Sequence, residues 1–472
     1  MKEGKENKRL LVLFFCVAVI AAGCSVKTTP VKVPVTLPSA FSQSGTVQFN
    51  QKWWLDFEDP TLNRLIEQAL NDNFSLQSSW DRLSQARATL RKSRSSFFPS
   101  VSGEVEITEK SYKSDGSTTT SDELTIGLSA QYEIDLWGRI RSSAEAARLD
   151  MEATAADLDA AAITLAAEVA TTWFTLIEQS NEIVLLDAQI EANRKALEVI
   201  STRFKTGQVP LADVLQQEQL VESKKGEQAS LVAKQKQSEH ALAILVGKTP
   251  GSLNIAERPE QLATLSPLPD IGIPAQTILS RPDIRSALRG VEAANKRVAA
   301  AVADRFPSLQ LTGTLNTTGN YIDNLFRDYL ASLAAGLVGP IIDGGKRKAE
   351  VERTRAAASE QLNNYGQVVL AAIGELEDAL IAEQQQYIYL ESLQRQLDLS
   401  TRTVDQVRLR YLKGVENYER VLTAINSMQS LEQTMLKARR ALLLNRIQLC
   451  KAMGSGWQFS EQGADYAHVG KE

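Results

Sequence analysis

Histidine is nearly missing from this sequence: two occur in 472 residues, His240 and His468, and neither has a second plausible ligand nearby. Imidazole-based metal sites and Ser-His-Asp chemistry therefore lack their parts. Cysteine is scarce too. Cys16, Cys24 and Cys450 form no disulfide framework. There is no long basic run, and 52 Lys+Arg against 57 Asp+Glu leave a formal charge of −5. That removes the clustered positive footprint of a nucleic-acid binder. A hydrophobic content of 43% with 23% charged residues excludes intrinsic disorder. Length alone allows about two or three domains.

What is present begins with an address. Lys2, Lys5, Lys8 and Arg9 make a basic start, diluted by Glu3 and Glu6. The apolar run Leu10 to Ala22 is too short to span a bilayer and suits a signal-peptide core. It ends Ile20-Ala21-Ala22-Gly23-Cys24, which resembles the lipobox of bacterial lipoproteins. In those proteins the cysteine becomes the lipidated first residue, so Cys24 is the candidate lipidation site. Ala21 stands where the pattern prefers Leu, and an ordinary secretory signal is the alternative. Ser25 after the cysteine permits outer-membrane sorting. Cleavage before Cys24 removes four positive and two negative charges, leaving about −7. Cys450 then stands alone, as a buried helix residue.

The chain repeats itself with a period near 207. Phe97-Phe98-Pro99-Ser100 recurs as Arg305-Phe306-Pro307-Ser308, and Ile134-Asp135 as Ile342-Asp343, both at an offset of 208. Arg203-Phe204-Lys205-Thr206-Gly207 recurs as Arg410-Tyr411-Leu412-Lys413-Gly414, and Val214-Leu215 as Val421-Leu422, at 207. Val246-Gly247 matches Met453-Gly454 at the same offset. Five landmarks in order establish a duplication, with one residue lost around Asp343-Gly344-Gly345. The proline-rich stretch Thr249 to Pro274 links the halves, since proline breaks helices.

Each half reads as helix, hairpin, very long helix, tight turn, long helix. The first helices run about Asp59 to Ser96 and Gln276 to Arg305. After Gly138 the next proline or glycine is Gly207, 69 positions on. At ~1.5 Å per residue that is a helix roughly 100 Å long. Gly345 to Gly414 is equally long, and Gly207 and Gly414 mark the reversals. Apolar positions step by three and four: Ile183, Leu186, Ile190, Asn193, Leu197, Ile200, Phe204. Adding 207 gives Leu390, Leu393, Leu397, Ser400, Val404, Val407, Tyr411. This is a coiled-coil seam with a polar layer at Asn193 and Ser400. Helices this long need partners along their whole extent.

From Leu124 to Leu136 the even positions are apolar and the odd ones polar, apart from Gly127: a strand with two faces. Val101, Val105 and Ile107 alternate with polar residues before it, across a Ser114–Ser121 loop. Leu309, Leu311, Gly313 and Leu315 do the same in the second half, followed by a weaker strand at about Tyr329 to Val338. Four strands of roughly ten residues suit a bilayer crossing. Four cannot close a barrel, and open edges in lipid leave backbone groups unsatisfied. Strands must be pooled among copies. Eight strands would be plugged by side chains, so twelve in a homotrimer is the smallest assembly with a usable lumen.

Trp53-Trp54, the paired Phe-Pro-Ser, Asp135-Leu136-Trp137-Gly138-Arg139-Ile140-Arg141, and the paired Arg-x-x-x-Gly turns followed by Asp213-Val214-Leu215 and Val421-Leu422 resemble the TolC-like outer-membrane factors. With the lipobox, the nearest resemblance is to the lipoprotein branch serving resistance-nodulation-division (RND) efflux pumps. The resemblance implies a mainly α fold with a β-barrel portion. Its trimer has a twelve-stranded outer-membrane barrel continued by a twelve-helix periplasmic α-barrel. It implies a passive exit duct for drugs, metal ions or other small solutes. The partners would be further copies of the chain, a periplasmic membrane-fusion adaptor, an inner-membrane RND-type transporter and outer-membrane lipid. Adaptor contact falls on the tips, here Arg203, Gly207, Arg410 and Gly414. The two arginines can bond the turn carbonyls, act as favourable C-terminal cations or meet a partner acceptor. Some members carry an Asp and an Arg three residues apart after the second turn. Thr423 and Asn426 stand there in this chain, so the gate candidates are Glu416, Thr423 and Asn426, without that lock.

These readings divide the chain into a signal peptide (1–23), a lipid-anchored extended segment (24–58), a first repeat (59–247), an equatorial linker (248–275), a second repeat (276–454) and a tail (455–472). The β-hairpins fall at about 100–136 and 308–339, the helical hairpins at 138–247 and 345–454. No catalytic residue, cofactor or metal site is expected. A protein-secretion channel and a non-conducting coiled-coil scaffold are the alternatives. Gly339 to Lys346 has the wrong spacing for a phosphate loop.

Overall fold

The computed structural model describes residues 31–47, 50–253, 259, 261–319 and 325–454. Cys24 with its leader and the tail 455–472 lie outside the described residues. The chain forms two compact units, each drawing on both halves of the sequence.

The first unit comprises residues 82–155 and 286–367, with 31–34. Its centre is a four-stranded antiparallel sheet in the order β1 (Ser100–Ser114), β2 (Ser117–Ile134), β3 (Ser308–Gly319), β4 (Tyr329–Val338). The Ser114–Ser121 loop expected from composition is only Asp115-Gly116, at φ +50° and +81°. Two left-handed residues make the tight hairpin turn that Asp-Gly favours. Ser117 to Ser121 instead extend β2, and β1 and β2 reach 15 and 18 residues. Hydrogen bonds between β2 and β3 join the two halves of the sequence.

The second unit comprises residues 35–81, 156–285 and 368–454. A 3-10 turn, Trp53–Phe57, buries Trp53, Trp54 and Phe57 against Phe174, whose ring lies 5.0 Å from that of Phe57. Asp59 follows and has two roles. It accepts from the Thr61 and Leu62 amides at 2.9 and 3.0 Å as an N-cap, and from the buried Trp173 indole at 2.7 Å.

The helices are α1 (Pro60–Asp72), α2 (Phe74–Ser95), α3 (Arg139–Lys205), α4 (Leu211–Leu245), α5 (Pro274–Ser280), α6 (Pro282–Ala303), α7 (Lys346–Leu412) and α8 (Tyr418–Ala452). Both α3 and α7 have 67 residues, and α4 and α8 have 35. The single first helix expected in each half is instead two, broken at Asn73 and Arg281, residues 208 apart. Arg281 is held extended by the proline after it. Each break residue caps the far end of its own half: Asn73 Nδ2 donates to Leu245 O at 2.9 Å and Arg281 Nη1 to Ala452 O at 2.8 Å. Gly247 and Gly454 then turn at φ +74° and +69°. One 18-residue window of α3 is apolar enough to cross a membrane, but 61% of it is buried within the chain. Core packing accounts for its composition.

Candidate functional site

The sheet has two chemically distinct faces, and its register aligns them. Leu124, Ile126, Leu128 and Ala130 stand opposite Ile107, Val105, Gly103 and Val101. On the other side Leu128, Ala130, Tyr132 and Ile134 stand opposite Leu315, Gly313, Leu311 and Leu309. Leu315, Gly313, Leu311 and Leu309 then meet Ala331, Leu333, Ala335 and Leu337. Side chains alternate along each strand. The opposite face therefore carries Glu104, Glu106, Thr125, Ser129, Gln131, Gln310, Thr312 and Thr314 on β1 to β3, while on β4 it carries Leu330, Ser332, Ala334, Gly336 and Val338. Among the described residues the apolar face is uncovered: Ile107 is 79% exposed and Leu333 85%. Strands β1 and β4 each have one unpaired edge among the described residues.

The corner from sheet to helix explains the Asp135 to Arg141 motif. Asp135 accepts from the Ile140 and Arg141 amides at 3.1 and 2.8 Å, neutralising the amino end of α3. Arg139 forks onto Glu133 at 3.1 and 2.7 Å, a contact that raises its pKa. The Trp137 indole donates to Pro307 O at 2.7 Å and stacks on Phe306 at 4.8 Å. In the second half Asp343 accepts from the Gly345 and Arg347 amides at 3.0 and 3.3 Å, and Arg347 reaches Asp304 at 3.0 Å.

At the helical tips Gly207 and Gly414 adopt φ +72° and +71°. The Gln208 and Val415 amides donate to Arg203 O and Arg410 O at 2.9 and 3.0 Å, closing a Schellman turn in each half. The arginine side chains do not cap those carbonyls. Backbone amides already occupy them. Arg203 lies over the Tyr411 ring at 5.0 Å, and Arg410 Nε donates to Glu416 at 3.3 Å. Arg420 Nη1 lies 3.9 Å from the other Glu416 oxygen. Of the gate candidates, only Glu416 joins this charged group. Thr423 and Asn426 are exposed on α8, and Thr423 bonds Glu419 O at 3.0 Å.

Behind the tips Ile200, Leu220, Val404, Val407, Val421 and Ile425 form an apolar cluster. The seam is buried at Leu186, Ile190, Ile200, Leu393 and Val404, while Phe204 is 40% exposed. The polar layer is unequal. Asn193 is buried, with polar partners on other helices, and Ser400 is half-buried. Gln217, fully buried, donates to Asn193 O at 2.7 Å and accepts from the Tyr418 hydroxyl at 2.8 Å. Asn193 donates to Gln429 at 3.3 Å, and Gln189 to Gln429 O at 3.2 Å. Burial raises the Tyr418 pKa. Sequence reading missed Gln217, Gln429 and Tyr418. The available signal was uncharged polar residues among apolar seam positions.

The outer membrane efflux protein family model matches the chain twice, over residues 65–248 and 273–455. The cation efflux system protein CusC of Escherichia coli (strain K12) is 28% identical over 454 residues, 94% of this chain and 99% of that protein. The toluene efflux pump outer membrane protein TtgF of Pseudomonas putida is 30% identical over 427 residues, covering 88% and 87%. Among solved structures, the outer-membrane channel OprN superposes with a TM-score of 0.87 at 26% identity, covering 92% of this chain and all of that one. CusC superposes at 0.84 and 27% identity, with the same coverage. The chain belongs to the outer membrane efflux protein family, as an outer-membrane channel with a large periplasmic portion.

Proposed function

We propose that three copies pool their strands into a twelve-stranded barrel, continued by twelve long helices, and that this duct is the exit of a tripartite pump. The observation that carries the reading is the sheet: one exposed apolar face, a second face that is polar on β1 to β3, and, among the described residues, two unpaired edges. Lipid covers the apolar face, neighbouring copies satisfy the edges, and the polar face lines water. The duct conducts passively and has no catalytic role or cofactor. An inner-membrane RND-type transporter supplies the energy through a periplasmic adaptor, which meets the tips at Arg203, Gly207, Arg410 and Gly414. Glu416, Thr423 and Asn426 belong to the region that narrows when the duct rests. Relatives named for cation efflux and for toluene and solvent efflux support small ions and molecules as cargo. Cys24 carries the lipid that tethers the mature chain to the outer membrane.

The test is conductance in a planar bilayer. Purified protein should give discrete ionic currents, small and flickering if the tip rests mostly shut. Protein that inserts as a stable assembly yet never conducts, under any voltage or pH, would overturn the channel reading.

A further inference from the structure

A polar cavity of about 620 Å³ lies between α3, α4 and α8. On α3 it sits roughly 40 Å from the tip end, at ~1.5 Å per residue. Glu178 and Glu182 project into it from successive turns of α3, and are 3% and 6% exposed. Lys437 on α8 holds Glu182 at 2.9 Å. Arg440 on α8 comes no nearer to Glu178 than 3.8 Å. Glu178 Oε1 and Gln179 Oε1 are buried and accept no hydrogen bond, and Arg440 Nε donates none.

From α4 the cavity receives Gly226, Glu227 and Lys234. Glu227 is engaged by Lys224 at 2.9 Å and by Gln433, which also lines the cavity, at 3.3 Å. No atom lies within 4 Å of the place a Gly226 side chain would take, which leaves that wall open. The charged groups around Glu178 are thus Glu182 on its own helix, Glu227 and Lys234 on α4, and Lys437 and Arg440 on α8.

Two carboxylates this dry and one turn apart each need a close cation to stay ionised together. Glu182 has one at hydrogen-bond distance, whereas the cation paired with Glu178 stands off at 3.8 Å. We propose that Glu178 is a proton-operated clasp between the two helical hairpins. Protonated, it donates to Glu182 and lets α8 lie close on α3. Deprotonated, it confronts the Glu182 carboxylate one turn away with its own cation held off at 3.8 Å, and α8 loosens. Burial, opposed by Arg440 and reinforced by Glu182, pushes the carboxyl up to about 7. The closed packing holds the proton more tightly than an open or unfolded form does. Its stability is therefore full below the ordinary 4.5 and is lost as pH rises toward 7. If loosening returns Glu178 to its ordinary value, the closed-to-open ratio falls about tenfold between pH 6 and pH 8.

The consequence for flow rests on the channel reading; the clasp itself does not. Hydrogen exchange of the α8 amides around 429–446, corrected for intrinsic rates, tests the clasp in the full-length wild-type protein at both pH values. Protection should fall about tenfold at pH 8. Glu178→Gln keeps a donor for Glu182 at every pH, so its protection and open probability should stay at the wild-type pH 6 level. Equal wild-type protection at the two pH values, or a pH step that survives in Glu178→Gln, would overturn the proposal. Should the variant fail to assemble, the wild-type exchange decides alone. Absence of current from every sample would count against the channel and leave the exchange result standing.

Discussion

Arg446→Met is the most informative single perturbation of the second unit. Arg446 forks onto Glu383 at 2.9 and 2.6 Å with both side chains almost fully buried. It also donates to Ser266 O at 3.1 Å and Pro267 O at 3.4 Å, pinning the proline-rich linker to α7 and α8. Removing the arginine leaves Glu383 charged, dry and unpaired, which costs about 3–5 kcal/mol. Replacing both partners, as Glu383→Leu with Arg446→Met, removes the stranded charge and should restore most of that loss. The assay is denaturant unfolding of the detergent-solubilised protein followed by far-ultraviolet circular dichroism. Limited proteolysis of the linker is read in parallel. The single variant should unfold early and be cut near Ser266, and the double variant should recover stability but not linker protection. A single variant within ~1 kcal/mol of wild type, or a double variant as weak as the single, would refute the reasoning.

The remaining predictions concern local chemistry. Gly207→Ala should cost about 1–2 kcal/mol, since φ is left-handed but no atom lies within 4 Å of the new methyl. Gly247→Ala should cost more, because its Cβ would come within 2.4 Å of Asp72 O; thermal unfolding of the two variants ranks them. Asp59→Ala removes an N-cap and strands the buried Trp173 N–H, together about 2–4 kcal/mol, readable in the same melts and in indole fluorescence. Leu128→Arg places a cation on the apolar sheet face and should cost about 2–4 kcal/mol in a bilayer. It should reduce outer-membrane assembly, whereas Ser129→Arg on the polar face should assemble normally.

Much of this architecture could be read from the sequence because it depends on period and punctuation. A repeat near 207 residues, glycines at the reversals and alternation in the hairpins are one-dimensional signals. Each survives folding unchanged. Of the two helix breaks, the one at Arg281 had a signal in Pro282, which holds the residue before it extended; the one at Asn73 had none, because an asparagine inside a helical pattern interrupts nothing by itself. Each break residue bonds a carbonyl some 170 residues away. The Asp115-Gly116 turn was hidden for the opposite reason: serine and threonine around it read as loop, yet they also suit a strand. At the tips the glycines were plain, but the arginine side chains were not. Backbone amides occupy the carbonyls that local sequence assigned to them. Gln217, Tyr418 and Glu178 act through partners on other helices, and no local pattern announces such pairings.

One chain supplies only part of a barrel: among the described residues, four strands with both edges open. Native mass of the purified protein in a mild detergent, with the bound detergent subtracted, tests it most directly. Three chains per particle, and no folded monomer at equilibrium, are expected. A stable, folded, monodisperse monomer would contradict it, because two unpaired strand edges cannot remain so in lipid.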